Sequence, residues 1–174
     1  MCIRDRLKGH YLDTKHPIIT ENLLGIKRVK GSIQKGKKPI LINHLKSIVN
    51  AIDKEKFEVI KKLRDRSIIL IGFGGGFRRT ELISIDHEDL EFVPEGLKIT
   101  IRRSKTDQFG EGMIKGLPYF SNEIYCPVTS LKKWFEVSKI KSGPIFRRFS
   151  KGSLLTEKRL SDQSVVLLMK EYLN

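Results

Sequence analysis

Residues 72–82 read Gly72-Phe73-Gly74-Gly75-Gly76-Phe77-Arg78-Arg79-Thr80-Glu81-Leu82, and the reading of this stretch organises everything on either side of it. Three glycines in a row lose too much backbone entropy to sit inside a helix, so the chain must break or turn sharply at 74–76. Before the turn, Arg64–Phe73 predicts a helix with Ile68, Ile69 and Ile71 inside it; after the turn, Leu82, Ile83 and Ile85 form the apolar side of a short second helix. Glycines beside cations also raise a phosphate-loop reading. A dinucleotide fingerprint starting at Gly72 requires glycine at 77, where Phe77 stands, and a Walker A loop requires lysine in the place of Arg78-Arg79-Thr80. Neither nucleotide motif is met.

Working outward, Leu41, Leu45, Ile48 and Ile52, with Ile42 and Val49 beside them, recur at helical spacing after Pro39. Downstream the period changes. Leu90–Val93 is followed by the turn residues Pro94-Glu95-Gly96 and then by Leu97-Lys98-Ile99-Thr100-Ile101-Arg102, a strict alternation of apolar and polar residues. Ser104–Gly112 reads as a mobile polar loop, and Met113–Tyr119 returns as a third strand, giving an antiparallel meander with one solvated face. Pro127 opens another helix, along which Val128, Leu131, Trp134, Phe135 and Ser138 share a face. That periodicity assigns Trp134 and Phe135 to the core rather than to base stacking. Ser161 caps a last helix carrying Val165, Leu168, Met169 and Tyr172. Upstream, Ile18–Ile26 predicts a short helix that Gly25 helps to end, and Gly31–Pro39 reads as a linker at a domain boundary. The expected class is α+β: mostly helical, with a small three-stranded antiparallel sheet.

The chain has 174 residues and 34 Lys+Arg against 20 Asp+Glu, a formal charge of +14. Residues 1–40 hold ten of the cations and only three acids (Asp5, Asp13, Glu21). Such an excess points to a polyanionic partner, and nucleic acid is favoured because neutralising phosphates releases condensed counterions. No segment joins a basic face to a strong apolar face as a membrane-surface helix would. The longest apolar run, Ile68–Phe73, falls far short of the roughly 18 residues a membrane span needs. Two cysteines, Cys2 and Cys126, build neither a disulfide scaffold nor a zinc site, which together with the lack of a secretory leader predicts a reducing, cytoplasmic compartment.

The segment Gly76-Phe77-Arg78-Arg79-Thr80-Glu81-Leu82 resembles the Gly-x-Arg-x-x-Glu-Leu box of the tyrosine recombinase (phage integrase) family. The resemblance extends through Arg64-Asp65-Arg66, Asp89-Leu90, Arg102-Arg103-Ser104-Lys105-Thr106-Asp107-Gln108, Cys126-Pro127-Val128 and Gly143-Pro144-Ile145-Phe146, colinear over Pro39–Asn174. It implies the amino-terminal part of a recombinase catalytic domain (39–174), a linker (31–38), and the remnant of a helical core-binding (SAM-like) domain (1–30). The implied chemistry is attack of a tyrosine on a DNA phosphodiester, with a 3′-phosphotyrosyl intermediate and no metal or nucleotide cofactor. The implied partner is double-stranded DNA, on which the family assembles as tetramers, in a bacterial cytoplasm beside the nucleoid.

Residue by residue, Arg78 matches the first catalytic arginine, whose planar fork holds two phosphate oxygens. The bland alternative is a surface arginine paired with Glu81 or Asp86. Glu81 matches the acidic position that orients that arginine, against an ordinary helix-surface carboxylate. Lys105 matches the general-acid lysine, against a simple basic loop. Arg79, Arg102 and Arg103 read as phosphate grips, as do Lys27, Arg28, Lys37 and Lys38 of the basic amino-terminal segment. The family's His-x-x-Arg box is not among these residues: three positions after His10, His16, His44 and His87 stand Asp13, Ile19, Ser47 and Leu90. Tyr172 precedes the place where that box would begin and lies on an apolar stripe, so it reads as a core or interface residue, not the nucleophile. The expectation is a truncated recombinase that binds DNA and cleaves nothing alone. The alternatives are a naturally short, non-catalytic DNA-binding protein and, weakened by the lack of an aromatic-rich strand face, an RNA-binding module.

Overall fold

The computed structural model describes residues 13, 15–31, 39–102, 112–152 and 154–173. The chain divides into two units, Met1–Pro39 and Ile40–Asn174. In the first, α1 (Pro17–Lys30) opens with proline in its first turn and carries Lys27, Arg28 and Lys30 in its last. It is longer than the Ile18–Ile26 that the sequence predicts. Gly25 lies inside it, a cost of about 1 kcal/mol that the flanking residues absorb, and Gly31 closes it instead.

The second unit runs α2 (Ile42–Lys54), α3 (Val59–Gly74), α4 (Arg79–Ser84), β1 (Leu90–Val93), β2 (Gly96–Ile101), β3 (Met113–Pro118), α5 (Pro127–Ser138), β4 (Arg147–Phe149), β5 (Leu155–Arg159) and α6 (Asp162–Leu173). The α+β class and the three-stranded antiparallel meander are as expected, in the order β1-β2-β3. The β4–β5 hairpin was not legible: its residues are mostly charged, and its register shifts between Arg147 and Phe149, which erases any alternation.

Four consecutive residues of α3, Ile68–Ile71, are buried, as expected of a helix covered on every side. Across α3 lies α5, close enough for the Ser67 hydroxyl to donate to the Ser130 carbonyl at 2.9 Å. Trp134 is fully buried and donates its indole N–H to the Ile145 carbonyl at 2.8 Å, so it is a core residue. The sheet turns Leu97, Ile99 and Ile101 inward and Lys98 and Thr100 outward.

A buried charged cluster ties α6 and β4 to α3. Arg64 donates through Nε and Nη2 to Asp65 Oδ1 (2.8 and 2.7 Å), through Nη1 to the Arg147 carbonyl (3.2 Å), and lies over the Phe149 ring. The Tyr172 hydroxyl donates to Asp65 Oδ2 at 3.1 Å. Burial, and the carboxylate beside it, push the Tyr172 phenol above its ordinary range. A raised folded-state value means that the protonated hydroxyl stabilises the fold fully below the unfolded value of about 10 and that this stability is lost as pH rises beyond it. Tyr172→Phe should therefore unfold less steeply above about pH 10 than the parent chain, read by circular dichroism along a pH series.

The β1–β2 hairpin turns tightly, and a Cβ on Gly96 would stand 2.0 Å from the Leu117 carbonyl oxygen of β3, whereas one on Gly116 would meet nothing within 4 Å. Gly96→Ala should cost more than about 2 kcal/mol in urea unfolding, while Gly116→Ala stays within about 0.5 kcal/mol of the parent.

Candidate functional site

The turn between α3 and α4 is built by the glycine run. Gly75 N–H donates to the Ile71 carbonyl and Phe77 N–H reaches back to the Gly72 carbonyl at 3.1 Å, while Gly76 adopts φ +55°. A residue with a Cβ is disfavoured in that left-handed conformation. The chain leaves the turn extended at Arg78, which occupies the N-cap position of α4.

Glu81, one turn on, is 5% exposed and serves Arg78 twice. Its Oε2 accepts the Arg78 backbone N–H at 3.0 Å, and its Oε1 accepts Nη1 of the Arg78 guanidinium at 2.9 Å. The carboxylate thus caps α4, satisfying a donor that no helical carbonyl can reach, and fixes the plane of the arginine. The Arg78 side chain remains 47% exposed. A guanidinium anchored in this way is held in a fixed plane at the surface while still reaching solvent in part.

Beside this pair opens a groove of about 410 Å³ lined by Thr80, Glu81, Ser84, Asp89, Thr100 and Arg102, with Ile85 and Ile101 at its floor. Arg102 forms one wall. Its Nε donates to Asp89 Oδ1 at 2.6 Å and its Nη1 stands 3.6 Å from Asp86 Oδ2. The hydrogen bond and charge of Asp89 hold the Arg102 guanidinium even more firmly protonated than usual. Asp86 is also claimed by Arg159, whose Nη2 reaches Oδ1 at 2.5 Å and whose Nη1 donates to the Ile83 carbonyl at 2.6 Å.

Of the residues singled out from the sequence, Arg78 and Glu81 form one constellation, and Arg102 lines the same groove as Glu81. Asp86, the alternative partner expected for Arg78, is engaged by Arg102 and Arg159. Arg79 is exposed on α4. Lys27 and Arg28 belong to the other unit, in the last turn of α1, where cations also complement the helix dipole. Lys37, Lys38, Arg103, Lys105 and the Ser104–Asp107 motif lie outside the described residues. Reading by residue type missed Arg159, one charge among several in β5, and Lys115, a single cation among the uncharged residues of β3, because neither carries a periodic signal. Among the described residues no three His, Cys, Asp or Glu side chains gather to hold a metal ion, and no helix is long and apolar enough to cross a membrane.

No protein-family model matches the chain. An integrase/recombinase XerD homolog of Selenomonas ruminantium is 40% identical over 164 residues, which is 94% of this chain and 47% of that protein. The crystal structure of the XerH site-specific recombinase bound to its difH substrate, a pre-cleavage complex, superposes with a TM-score of 0.54 at 18% identity, over 96% of this chain and 50% of that one. A post-cleavage XerH complex with palindromic difH gives 0.50 at 18% identity, over 82% of this chain and 42% of that one. Over nearly its whole length the chain is thus similar to an integrase/recombinase, in keeping with the tyrosine recombinase resemblance of its motifs. It spans about half the length of the relatives it matches.

The Arg78–Glu81 geometry has a direct energetic consequence. Glu81→Ala should cost about 1–2 kcal/mol by removing the cap of α4. Glu81→Gln, which keeps an oxygen for the Arg78 N–H, should cost less. Urea titration of both variants checks the order.

Proposed function

We propose that residues 39–174 form the first part of the DNA-cleaving domain of a site-specific recombinase, and that residues 1–30 belong to a helical core-binding domain joined to it by 31–38. The observation that carries this reading is the Arg78–Glu81 pair: a half-exposed guanidinium anchored by a buried carboxylate that itself lines a groove. In transfer of a phosphoryl group to a tyrosine without a metal, negative charge grows on the non-bridging oxygens. Fixed protein cations must meet it there. Arg78 supplies such a cation, and Glu81 holds it so that little reorganisation is needed when the charge develops.

Lys105 is the proton donor to the 5′-oxygen leaving group in this reading. Arg79, Arg102 and Arg103 hold backbone phosphates of duplex DNA, and Lys27, Arg28, Lys37 and Lys38 extend the same grip. The Tyr172 hydroxyl is spent on Asp65 in the core and is no candidate nucleophile. With no His-x-x-Arg segment among its 174 residues, this chain binds DNA without cutting it. Cleavage, rejoining and tetramer assembly require a longer recombinase polypeptide.

Fluorescence anisotropy with a duplex oligonucleotide tests the binding. If five phosphates are neutralised, log K should fall against log salt with a slope of about −4.5; an affinity indifferent to salt refutes the DNA surface. On a nicked suicide duplex the 174-residue chain should leave no covalent adduct. In a chain extended by the matching second half of a relative, Arg78→Ala should slow cleavage by about 10²–10³ at saturating DNA, and Arg103→Ala should mainly weaken binding. Equal, modest losses would reduce Arg78 to one phosphate grip among several.

A further inference from the structure

On β3, Met113, Lys115 and Leu117 lie on the face that pairs with the buried Ile101, Ile99 and Leu97 of β2; Leu117 is buried, Lys115 half-buried and Met113, toward the strand end, exposed. Opposed residues of an antiparallel pair share a face. A lysine therefore stands in the middle of a row that the meander otherwise fills with apolar side chains. Even partial burial of an ammonium favours hydrogen-bonded partners, and Lys115, which is half-buried, has them.

Those partners are on the glycine turn. Lys115 Nζ donates to the Gly75 carbonyl at 2.8 Å and to the Gly76 carbonyl at 3.3 Å, and lies 4.5 Å from the centre of the Phe77 ring. Carbonyls at the exit of a helix gather the negative end of its dipole, and the face of an aromatic ring attracts a cation. Gly75, Gly76 and Phe77 are the three residues immediately before Arg78. Downstream, Arg78 is held by Glu81 through both its backbone N–H and its guanidinium. Upstream, the turn is held by its own backbone hydrogen bonds and by packing of Phe77 on the core, and Lys115 adds a polar tie between the turn and the sheet. A methionine of similar length would fill the same space without desolvating a charge, so the contribution peculiar to lysine is the grip on the two carbonyls.

We propose that Lys115 is a positioning residue for Arg78: by tying β3 to the glycine turn, it sets the point from which the Arg78 guanidinium meets a DNA phosphate. The proposal rests on the DNA-binding reading above and acts through backbone, so Lys115 itself touches no phosphate. Its removal should matter only while Arg78 is there to be misplaced.

The test is a double-mutant cycle in the 174-residue chain, with a duplex oligonucleotide as the probe. Lys115→Met should weaken binding by about threefold to tenfold in the parent background and leave affinity nearly unchanged in an Arg78→Ala background. Lys115→Arg, which keeps donors for both carbonyls, should restore affinity. An equal loss in both backgrounds, with a salt slope shallower by about one unit, would make Lys115 an ordinary phosphate grip and overturn the proposal. No loss in either background would overturn it too. If the parent chain binds no duplex, the DNA reading fails by itself, and nuclear magnetic resonance of the Arg78 Nε–H decides the positioning claim. The expected result is a shifted or broadened Arg78 signal in Lys115→Met that Lys115→Arg restores; an unchanged signal refutes the claim. Lys115→Gln replaces the methionine variant under the same readouts if that variant does not fold. Failure of both to fold would make Lys115 a residue of the fold alone and overturn the proposal.

Discussion

A helix buried on all sides has to leave the core, and in this protein the exit of α3 governs the rest. Ile68–Ile71 bring the chain through the centre of the second unit, between α5 and the elements around it. At the exit, small residues are needed for packing as much as for the turn. A Cβ on Gly72 would stand 3.0 Å from the Leu82 side chain of α4, and one on Gly75 would fall 2.1 Å from the Phe77 ring. The glycines thus let the turn fold back on α3 closely enough for α4 to pack its Leu82 against the core. Arg78 sits at the junction, where the chain has just become extended and a new helix needs a cap.

Charge follows from the same geometry. In a chain with a formal charge of +14, the carboxylates drawn into the interior are each met by arginine or tyrosine: Asp65 by Arg64 and Tyr172, Glu81 by Arg78, Asp89 by Arg102. An unpaired buried carboxylate would cost several kcal/mol, and pairing recovers that cost only with good geometry. The three clusters differ in what they leave over. Around Asp65 the arginine is itself buried and its donors are used on protein atoms, so the cluster is a fastening between α3, β4 and α6. Around Glu81 the arginine is half exposed, and around Asp89 it is 60% exposed. Those two arginines are held by carboxylates, Glu81 and Asp89, that both line one groove, and both reach the surface without disturbing the core.

Much of this was legible in residue order. The alternation of Leu97–Arg102 gave the central strand, the helical spacing of Val128, Leu131 and Trp134 gave the core face of α5, and three glycines gave the turn. These signals survive without tertiary context because strand and helix periods are properties of the backbone. The motif around Arg78 offered Glu81 and Asp86 as partners, and the structure pairs it with Glu81, three residues on at the start of the same helix. What periodicity could not supply was the β4–β5 hairpin, whose charged residues do not alternate. It also could not supply the full length of α1, where an internal glycine reads as a stop.

Residue order was enough for the class of fold, for the family resemblance carried by colinear motifs over Pro39–Asn174, and for narrowing the partner of Arg78 to Glu81 or Asp86, because backbone periods and motif order survive without tertiary context. Only the tertiary structure decided which distant groups complete the site. Asp86 is held by Arg102 and Arg159 from two different strand regions, and Lys115 reaches from β3 to carbonyls 39 and 40 residues earlier. Backbone carbonyls have no signature in a sequence, and an inward-facing lysine reads as a flaw in a strand until the turn it grips is folded against it. That is the physical reason the local half of the site could be read in advance and the long-range half could not.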